Sequence, residues 1–271
     1  MPAQIKFMNE GEYLIIQDSY KNPCEKELYS IYVMENGKLS LVNYNYTYRI
    51  ENEWTENRKG INPRNPEQIC LFNALNNSNK TIIYAGGPWG TGKSYLLNNF
   101  ALQELERGRI KKIVYVPNNS YTENTIDLGA LPGEVLDKVI GQIGPLVDLV
   151  GIDKVQDMIA HEQLEVVPMS YIRGRTFTDS IVLVNEAQNL TEDHIKLLLG
   201  RVGVGSRIFF DGDQKQCDSA IFRNKNGLKL LLNLRKSPIY SKIFSTITLN
   251  KIERSVTAQA AAYLDEIMGN I

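Results

Sequence analysis

Short, unbroken apolar runs recur along the chain with polar punctuation between them. They are Thr81-Ile82-Ile83-Tyr84, Ile113-Val114-Tyr115-Val116, Glu165-Val166-Val167-Pro168-Met169, Ser180-Ile181-Val182-Leu183-Val184, Arg207-Ile208-Phe209-Phe210 and the stretch from Ile243 to Leu249. Four or five apolar residues without alternation read as strands buried on both faces. Between them the spacing turns helical. Ile69, Leu71, Phe72 and Leu75 share one face, and Tyr95 to Phe100 continue from a glycine-rich turn. A helical region opens near Leu128 and runs to about Val150, and another covers Asp153 to His161. Thr191 caps a helix through Leu199, Gly227 to Asn233 is helical, and Ser255 caps an Ala-rich helix reaching Met268. Strands alternating with helices at this spacing predict an α/β fold, a mostly parallel sheet flanked by helices. The loops at the carboxyl ends of its strands then converge on one crevice.

The first 60 residues have a different texture. Tyr13-Leu14-Ile15-Ile16, Leu28 to Met34 and Leu39 to Tyr44 are aromatic and β-branched, and Glu35-Asn36-Gly37-Lys38 carries the Asn-Gly hairpin signal. We read a small β-rich appendage over 1–60 and the main domain over 61–271, with a polar loop from Ser19 to Glu27 and a Pro-bearing linker between Glu51 and Pro66. The tyrosines of the appendage suit half-buried strands and would equally serve as a platform for stacked bases.

Composition narrows the partners. A net charge of −1 over 271 residues announces no global basic field, so any nucleic-acid contact must be a local patch. Cys24, Cys70 and Cys217 lie far apart with no C-x-x-C, as expected of reduced thiols in a cytoplasmic protein. His161 and His194 read as ordinary surface or packing residues. No apolar run approaches the roughly 20 residues needed to span a bilayer, so no membrane partner is expected.

The chemistry concentrates at Gly87-Pro88-Trp89-Gly90-Thr91-Gly92-Lys93-Ser94, followed by Tyr95. This is G-x-x-x-x-G-K-S between a strand and a helix, a phosphate-binding loop in the required context. Its glycines let successive N–H groups face phosphate oxygens, and the following helix adds the positive end of its dipole. Lys93 reaches the β- and γ-phosphates, and Ser94 offers its hydroxyl to Mg²⁺.

A second signal is the polar end of the run Ser180–Val184, Asn185-Glu186-Ala187-Gln188-Asn189. In nucleotide hydrolases an Asp at such a strand end holds Mg²⁺, usually through water, and a neighbouring Glu polarises the attacking water. Here Asn185 stands first. Its amide can accept a hydrogen bond from a metal-bound water but carries no charge, which lowers metal affinity and turnover. Glu186 is the candidate general base. Gly212-Asp213-x-x-Gln216 suits sensing of a γ-phosphate through an amide, and Arg254 is a candidate charge sensor. Gln68, at a helix start upstream of the P-loop strand, has the donor and acceptor an adenine edge requires.

In order along the chain, the pieces from Ile61 to about Ile267 resemble the PhoH family of P-loop ATPases, and within it the ATPase half of PIN-PhoH fusion proteins. They are Asn62-Pro63-Arg64-Asn65-x-Glu67-Gln68, the P-loop, Gly129-x-Leu131-Pro132-Gly133, Tyr171-Ile172-Arg173-Gly174-Arg175-Thr176, Glu186-Ala187-Gln188-Asn189, Arg201-x-Gly203-x-Gly205-Ser206, Gly212-Asp213-x-x-Gln216 and Glu253-Arg254-Ser255. The appendage, with Asn9-x-x-x-Tyr13-Leu14-Ile15, is similar to the segment joining the two halves in the fusions, and no PIN-like acidic quartet is present. The resemblance implies a superfamily-1-helicase-like core, ATP with Mg²⁺, a homo-oligomeric ring such as a hexamer, and single-stranded RNA as polymer. It also implies Gln68 at adenine, Gln216 at the γ-phosphate, and Arg201 or Arg254 reaching a nucleotide, including across a subunit interface. The chain departs from the family at Asn185, where Asp is usual, and at Val116-Pro117, where Arg-Pro is usual. Two functions follow: an ATP-hydrolysing, RNA-acting motor, or a nucleotide-dependent RNA-binding scaffold ring that no longer hydrolyses. A small-molecule kinase would share the P-loop without requiring Gly212-Asp213-x-x-Gln216.

Overall fold

A computed structural model of the chain describes residues 8–17, 29–42, 50, 60–117, 143–216 and 226–269. The Gly129-x-Leu131-Pro132-Gly133 piece, the Ser19 to Glu27 loop, Cys24 and Cys217 lie outside these residues. The strands are β1 (Tyr13–Gln17), β2 (Tyr29–Glu35), β3 (Lys38–Leu41), β4 (Ile82–Gly86), β5 (Lys112–Val116), β6 (Leu164–Val166), β7 (Ser180–Val184), β8 (Arg207–Gly212) and β9 (Phe244–Thr248). The α-helices are α1 (Pro66–Asn76), α2 (Lys93–Glu106), α3 (Gly144–Val150), α4 (Ile152–Ala160), α5 (Glu192–Leu199), α6 (Gly227–Leu232) and α7 (Val256–Gly269).

Six strands form one sheet in the order β6-β5-β7-β8-β4-β9, and every pairing in it is parallel. Strand pleat decides which layer each residue joins. Ile83, Ala85, Ile113, Tyr115, Ile181, Leu183 and Phe209 face the helices α1 to α4, where Leu71, Phe72, Leu97, Phe100 and Leu146 close the core. Their neighbours Ile82, Tyr84, Val114, Val182, Val184, Ile208 and Phe210 face the other way, onto Leu190, Ile195, Leu198, Leu228 and Leu231. The expected α/β architecture with helices on both faces is what forms. At Val116 and Pro117, the departure from the usual Arg-Pro, both residues are buried.

Each helix start has a local cause. The Asn65 side chain accepts the Gln68 N–H at 2.9 Å, Pro66 occupies the first turn of α1, and Glu67 faces its positive end. At α5, Thr191 and His194 cap reciprocally: the His194 N–H donates to Thr191 Oγ1 at 3.3 Å and the Thr191 N–H to His194 Nδ1 at 3.4 Å. Histidine here takes the place usually filled by Glu or Gln in a capping box.

The antiparallel sheet β1-β2-β3 turns at Asn36 and Gly37, both at positive φ (52° and 71°), as the Asn-Gly signal requires. It packs on the main body through Ile31, Tyr13 and Ile15, which join the core under α1. The Tyr13 hydroxyl donates to Asn73 Oδ1 on α1 at 2.7 Å. Tyr13 is thus a packing residue in this sheet.

Candidate functional site

The site begins where β4 ends. Leu249 donates its N–H to the Gly86 carbonyl at 2.8 Å, and Gly87 donates to the Gly212 carbonyl at 3.1 Å, so the loop leaves the sheet pinned on both sides. Only glycine fits at 87: φ is 129°, and a Cβ there would fall 1.9 Å from the Leu249 carbonyl oxygen. Gly92, in the left-handed region at φ 93°, then caps α2 and brings no side chain to its first N–H groups. Lys93 Nζ donates to the Gly87 and Pro88 carbonyls at 2.6 and 2.7 Å, and Thr91 Oγ1 to the Pro88 carbonyl at 3.0 Å. Burial pulls the Lys93 ammonium below its usual range, while Asp211, Asp213 and Glu186 oppose that shift.

Two motifs nearly 190 residues apart in sequence build the neighbouring wall. Glu253 donates its N–H to the Gly90 carbonyl at 2.9 Å, accepts from Asn65 Nδ2 at 2.8 Å, and offers its carbonyl to Arg64. Glu67 accepts from the backbone of Asn250 and Lys251 at 2.6 and 3.1 Å. Gln68 is buried with both ends of its amide engaged: Oε1 accepts the Arg64 N–H at 2.9 Å, and Nε2 donates to the Thr91 carbonyl at 3.1 Å. This glutamine holds the P-loop against α1.

The third wall is formed by the carboxyl ends of β7 and β8. Glu186 sits in the left-handed region at φ 54°, ψ 48°, rare for a residue with a side chain. Its N–H donates to Asp211 Oδ1 at 3.0 Å, and its carboxylate accepts from Gln188 Nε2. Gln188 Oε1 accepts the Asp213 N–H at 3.0 Å, so one buried amide locks the two strand ends together. Asp211 is 3 % exposed and lies beside the Ser94 hydroxyl; burial pushes its carboxyl up to about 6, against the opposing influence of Ser94.

A cleft of about 810 Å³ collects these walls. Of the residues expected from the sequence, Gln68, Trp89, Gly90, Gly92, Lys93, Ser94, Tyr95, Glu186, Gln216 and Arg254 line it, with Asp211 and Asp213 alongside. Trp89 and Tyr95 stand exposed at its edge. Gly87, Pro88 and Thr91 shape the loop from behind. Asn185 is absent from the lining, and its Nδ2 donates to the Tyr115 hydroxyl at 2.6 Å. Arg201 also lies elsewhere: it precedes the first residues of β8, the end of the sheet opposite the P-loop, and its Nη1 donates to the Arg175 carbonyl at 3.4 Å. Its Nε is buried without a hydrogen-bond partner. Sequence reasoning passed over Asp211 and Gln188. Asp211 carried a signal, since Ile208-Phe209-Phe210-Asp211 is an apolar run with an acidic end, as Val182-Leu183-Val184-Asn185 is with an amide.

Among the described residues no three His, Cys, Asp or Glu side chains cluster to hold a metal unaided. The glycine cradle, the Ser94 hydroxyl and two nearby carboxylates instead fit a hard cation that keeps most of its ligands as phosphate and water.

The family model described as PhoH-like protein matches residues 60–264. The chain belongs to the PhoH-like family. It is 34 % identical over 194 residues to the PhoH-like protein of Bacillus subtilis, covering 69 % of this chain and 59 % of that one. It is also 31 % identical over 220 residues to Protein PhoH2 of Mycolicibacterium smegmatis, covering 77 % and 48 %. The chain therefore spans about half the length of the curated relatives it matches. Among solved structures, the Pif1 helicase from Candida albicans aligns over 75 % of this chain and 43 % of its own at 18 % identity with a TM-score of 0.38. The Arterivirus nonstructural protein 10 helicase aligns over 89 % and 52 % at 12 % identity with a TM-score of 0.32. These are likenesses of fold alone. No helix among the described residues of this PhoH-like chain is long and apolar enough to cross a membrane.

Proposed function

We propose that this PhoH-like chain binds ATP with Mg²⁺ in the P-loop cleft, hydrolyses it, and couples that cycle to single-stranded RNA within a homo-oligomeric ring such as a hexamer. The observation that carries the reading is the convergence of Lys93, Ser94, Glu186, Gln216 and Arg254 on one cleft. The N–H groups at the start of α2 and the Lys93 ammonium receive the phosphates. The Glu186 carboxylate, held by Gln188, orients a water and takes its proton as the γ-phosphoryl group departs. Gln216 and Arg254 donate to the oxygens on which charge grows. Ser94 and Glu186, with Asn185 through water, are the residues expected from the sequence to hold magnesium, which would supply positive charge beside the phosphates. Gln68 serves adenine with the second N–H of Nε2 and the second lone pair of Oε1, since each end of its amide already has one partner in the protein. Arg201, which precedes β8 at the end of the sheet opposite the P-loop, acts on a nucleotide only from a neighbouring subunit.

Phosphate release measured across a panel of RNA and DNA strands tests this. RNA-stimulated release that disappears in Lys93→Ala is the expected result. Nucleotide affinity unchanged in that variant would remove the assignment of the loop. One observation favours the second reading, a scaffold ring that binds ATP without turnover: position 185 has no charge and its amide is spent on Tyr115. Tight ATP binding with no release, with or without RNA, would establish it.

A further inference from the structure

Asn185 and Asp211 occupy equivalent places on adjacent strands. The register pairs Val184 of β7 with Phe210 of β8, so the next residues, Asn185 and Asp211, sit side by side at the two strand ends. Pleat puts both on the layer that holds α2: Leu183 and Phe209, two residues earlier, both belong to that face. Their environments differ. β7 is separated from the P-loop strand by β8, whereas β8 pairs with it directly, Ala85 opposite Asp211 and Gly86 opposite Gly212. Asp211 lies beside the Ser94 hydroxyl and lines the cleft, while Asn185 turns to Tyr115.

A buried carboxylate is costly unless something uses its charge. Asp211 accepts from the Glu186 N–H, has the Ser94 hydroxyl beside it, and no Arg or Lys donates to it among the bonds the structure records. Each carboxylate oxygen has two lone-pair sites, so acceptor capacity remains on the side facing the cleft.

Resting on the reading of the cleft as an ATP site, we infer that Asp211 supplies the carboxylate that holds the cation there, the charge having been transposed by one strand from position 185 to position 211. The Ser94–Asp211 pair then forms one side of the cation's shell, the hydroxyl as ligand and the carboxylate accepting from a cation-bound water. The absence of charge at Asn185 consequently does not disable the site, because the charge sits closer to the P-loop than position 185 would put it.

Equilibrium binding of the slowly hydrolysed analogue ATPγS, in EDTA and in excess Mg²⁺, tests this on the full chain, with Mn²⁺ paramagnetic resonance as an independent count of bound cation. Asp211→Asn is nearly isosteric and keeps an oxygen for the Glu186 N–H. In EDTA this variant is expected to bind ATPγS more tightly than the parent, since a carboxylate facing the phosphates is gone. On adding Mg²⁺ the strengthening seen in the parent should shrink about tenfold or more, and Mn²⁺ affinity should fall alike. Adding Asn185→Asp to Asp211→Asn should return part of the cation gain. Retention of the full Mg²⁺ gain by Asp211→Asn overturns the inference. Loss of ATPγS binding in both buffers also overturns it, by showing a role in shaping the loop. Failure of the parent to bind ATPγS, or binding that survives Lys93→Ala, brings down the ATP site itself and so is distinguishable from either.

Discussion

The Glu186 N–H donates to Asp211 Oδ1 at 3.0 Å, across from one strand end to the next. That bond fixes a residue whose left-handed backbone costs roughly 1–2 kcal/mol in a chain of L-residues. The strain places the Glu186 side chain in the cleft rather than along the strand, where Gln188 steadies it. Two carboxylates therefore meet at the P-loop, Asp211 beside Ser94 and Glu186 beside Gln188, both lining the cleft.

Glu186→Gln should separate binding from turnover. A glutamine oxygen can still accept from Gln188 Nε2, so the corner keeps its shape while the base is lost. General-base catalysis contributes about 10²- to 10⁴-fold, so the hydrolysis rate should fall by that order with ATP affinity within about threefold of the parent. Steady-state phosphate release combined with nucleotide titration checks both quantities. An unchanged rate would remove Glu186 from the chemistry.

Gly87→Ala tests the cradle. The added methyl meets the Leu249 carbonyl, which belongs to backbone hydrogen-bonded to Gly86 and cannot rotate aside as a side chain could. Relief requires the loop or the 249–254 segment to move, and that segment carries Glu253 and Arg254. We expect a loss of roughly 2–4 kcal/mol in chemical denaturation and loss of nucleotide binding. Gly108→Ala, also at positive φ (66°) but with nothing within 4 Å of its Cβ, should cost only about 1 kcal/mol and spare binding.

The sheet was legible because its strands are buried on both faces, which leaves an apolar run that needs no partner to be recognised. The P-loop was equally legible, since its spacing encodes backbone geometry. What sequence could not show is register. Asp211 looked like one acidic residue among three polar ones until pairing with β4 and β7 put it under Ser94. Gln68 looked like a free amide; the fold turned both its ends inward, onto Arg64 and Thr91. Arg201 gave no clue to which end of the sheet it occupied, because a residue before a strand and one after it have the same composition.

Stability should decline on mild acidification through His194. Its Nδ1 accepts the Thr191 N–H, which requires a neutral ring, and burial lowers its pKa below the ordinary value although Asp193 opposes this. An unfolded chain takes up a proton as pH falls through about 6.5, while the folded chain resists until lower pH. The stabilisation is thus complete above that range and is lost as pH drops toward the lower folded value. His194→Gln keeps a side-chain acceptor at the capping position without titrating. Thermal melts from about pH 7.5 to about pH 5.5 should show the parent losing more of its midpoint than the variant. Parallel decline in both would dismiss His194 as the cause.

Arg207 ties the first residue of β8 to the end of α1. Its guanidinium donates to the carbonyls of Leu75, Lys80, Ala74 and Asn77 at 2.8 to 3.3 Å, serving the C-terminal carbonyls of a helix that has no basic residue in its last turn. It also stacks 4.9 Å above Phe209 and 5.6 Å above Phe100. Burial pulls its pKa down to about 10, so it stays charged at neutral pH. Arg207→Leu preserves much of the stacking volume but takes the guanidinium donor from the carbonyls of Leu75 and Lys80, both buried residues, while the Ala74 and Asn77 carbonyls keep the backbone N–H groups of Asn77 and Lys80. The expected cost is about 2–3 kcal/mol, within the range for leaving buried acceptors without a donor. Because α1 carries Gln68 and Glu67, which brace the P-loop and the 250–254 segment, ATP affinity should fall together with the melting temperature and recover when binding is measured well below the new midpoint. Affinity that stays low there would mean Arg207 sets the P-loop's position as well as its stability.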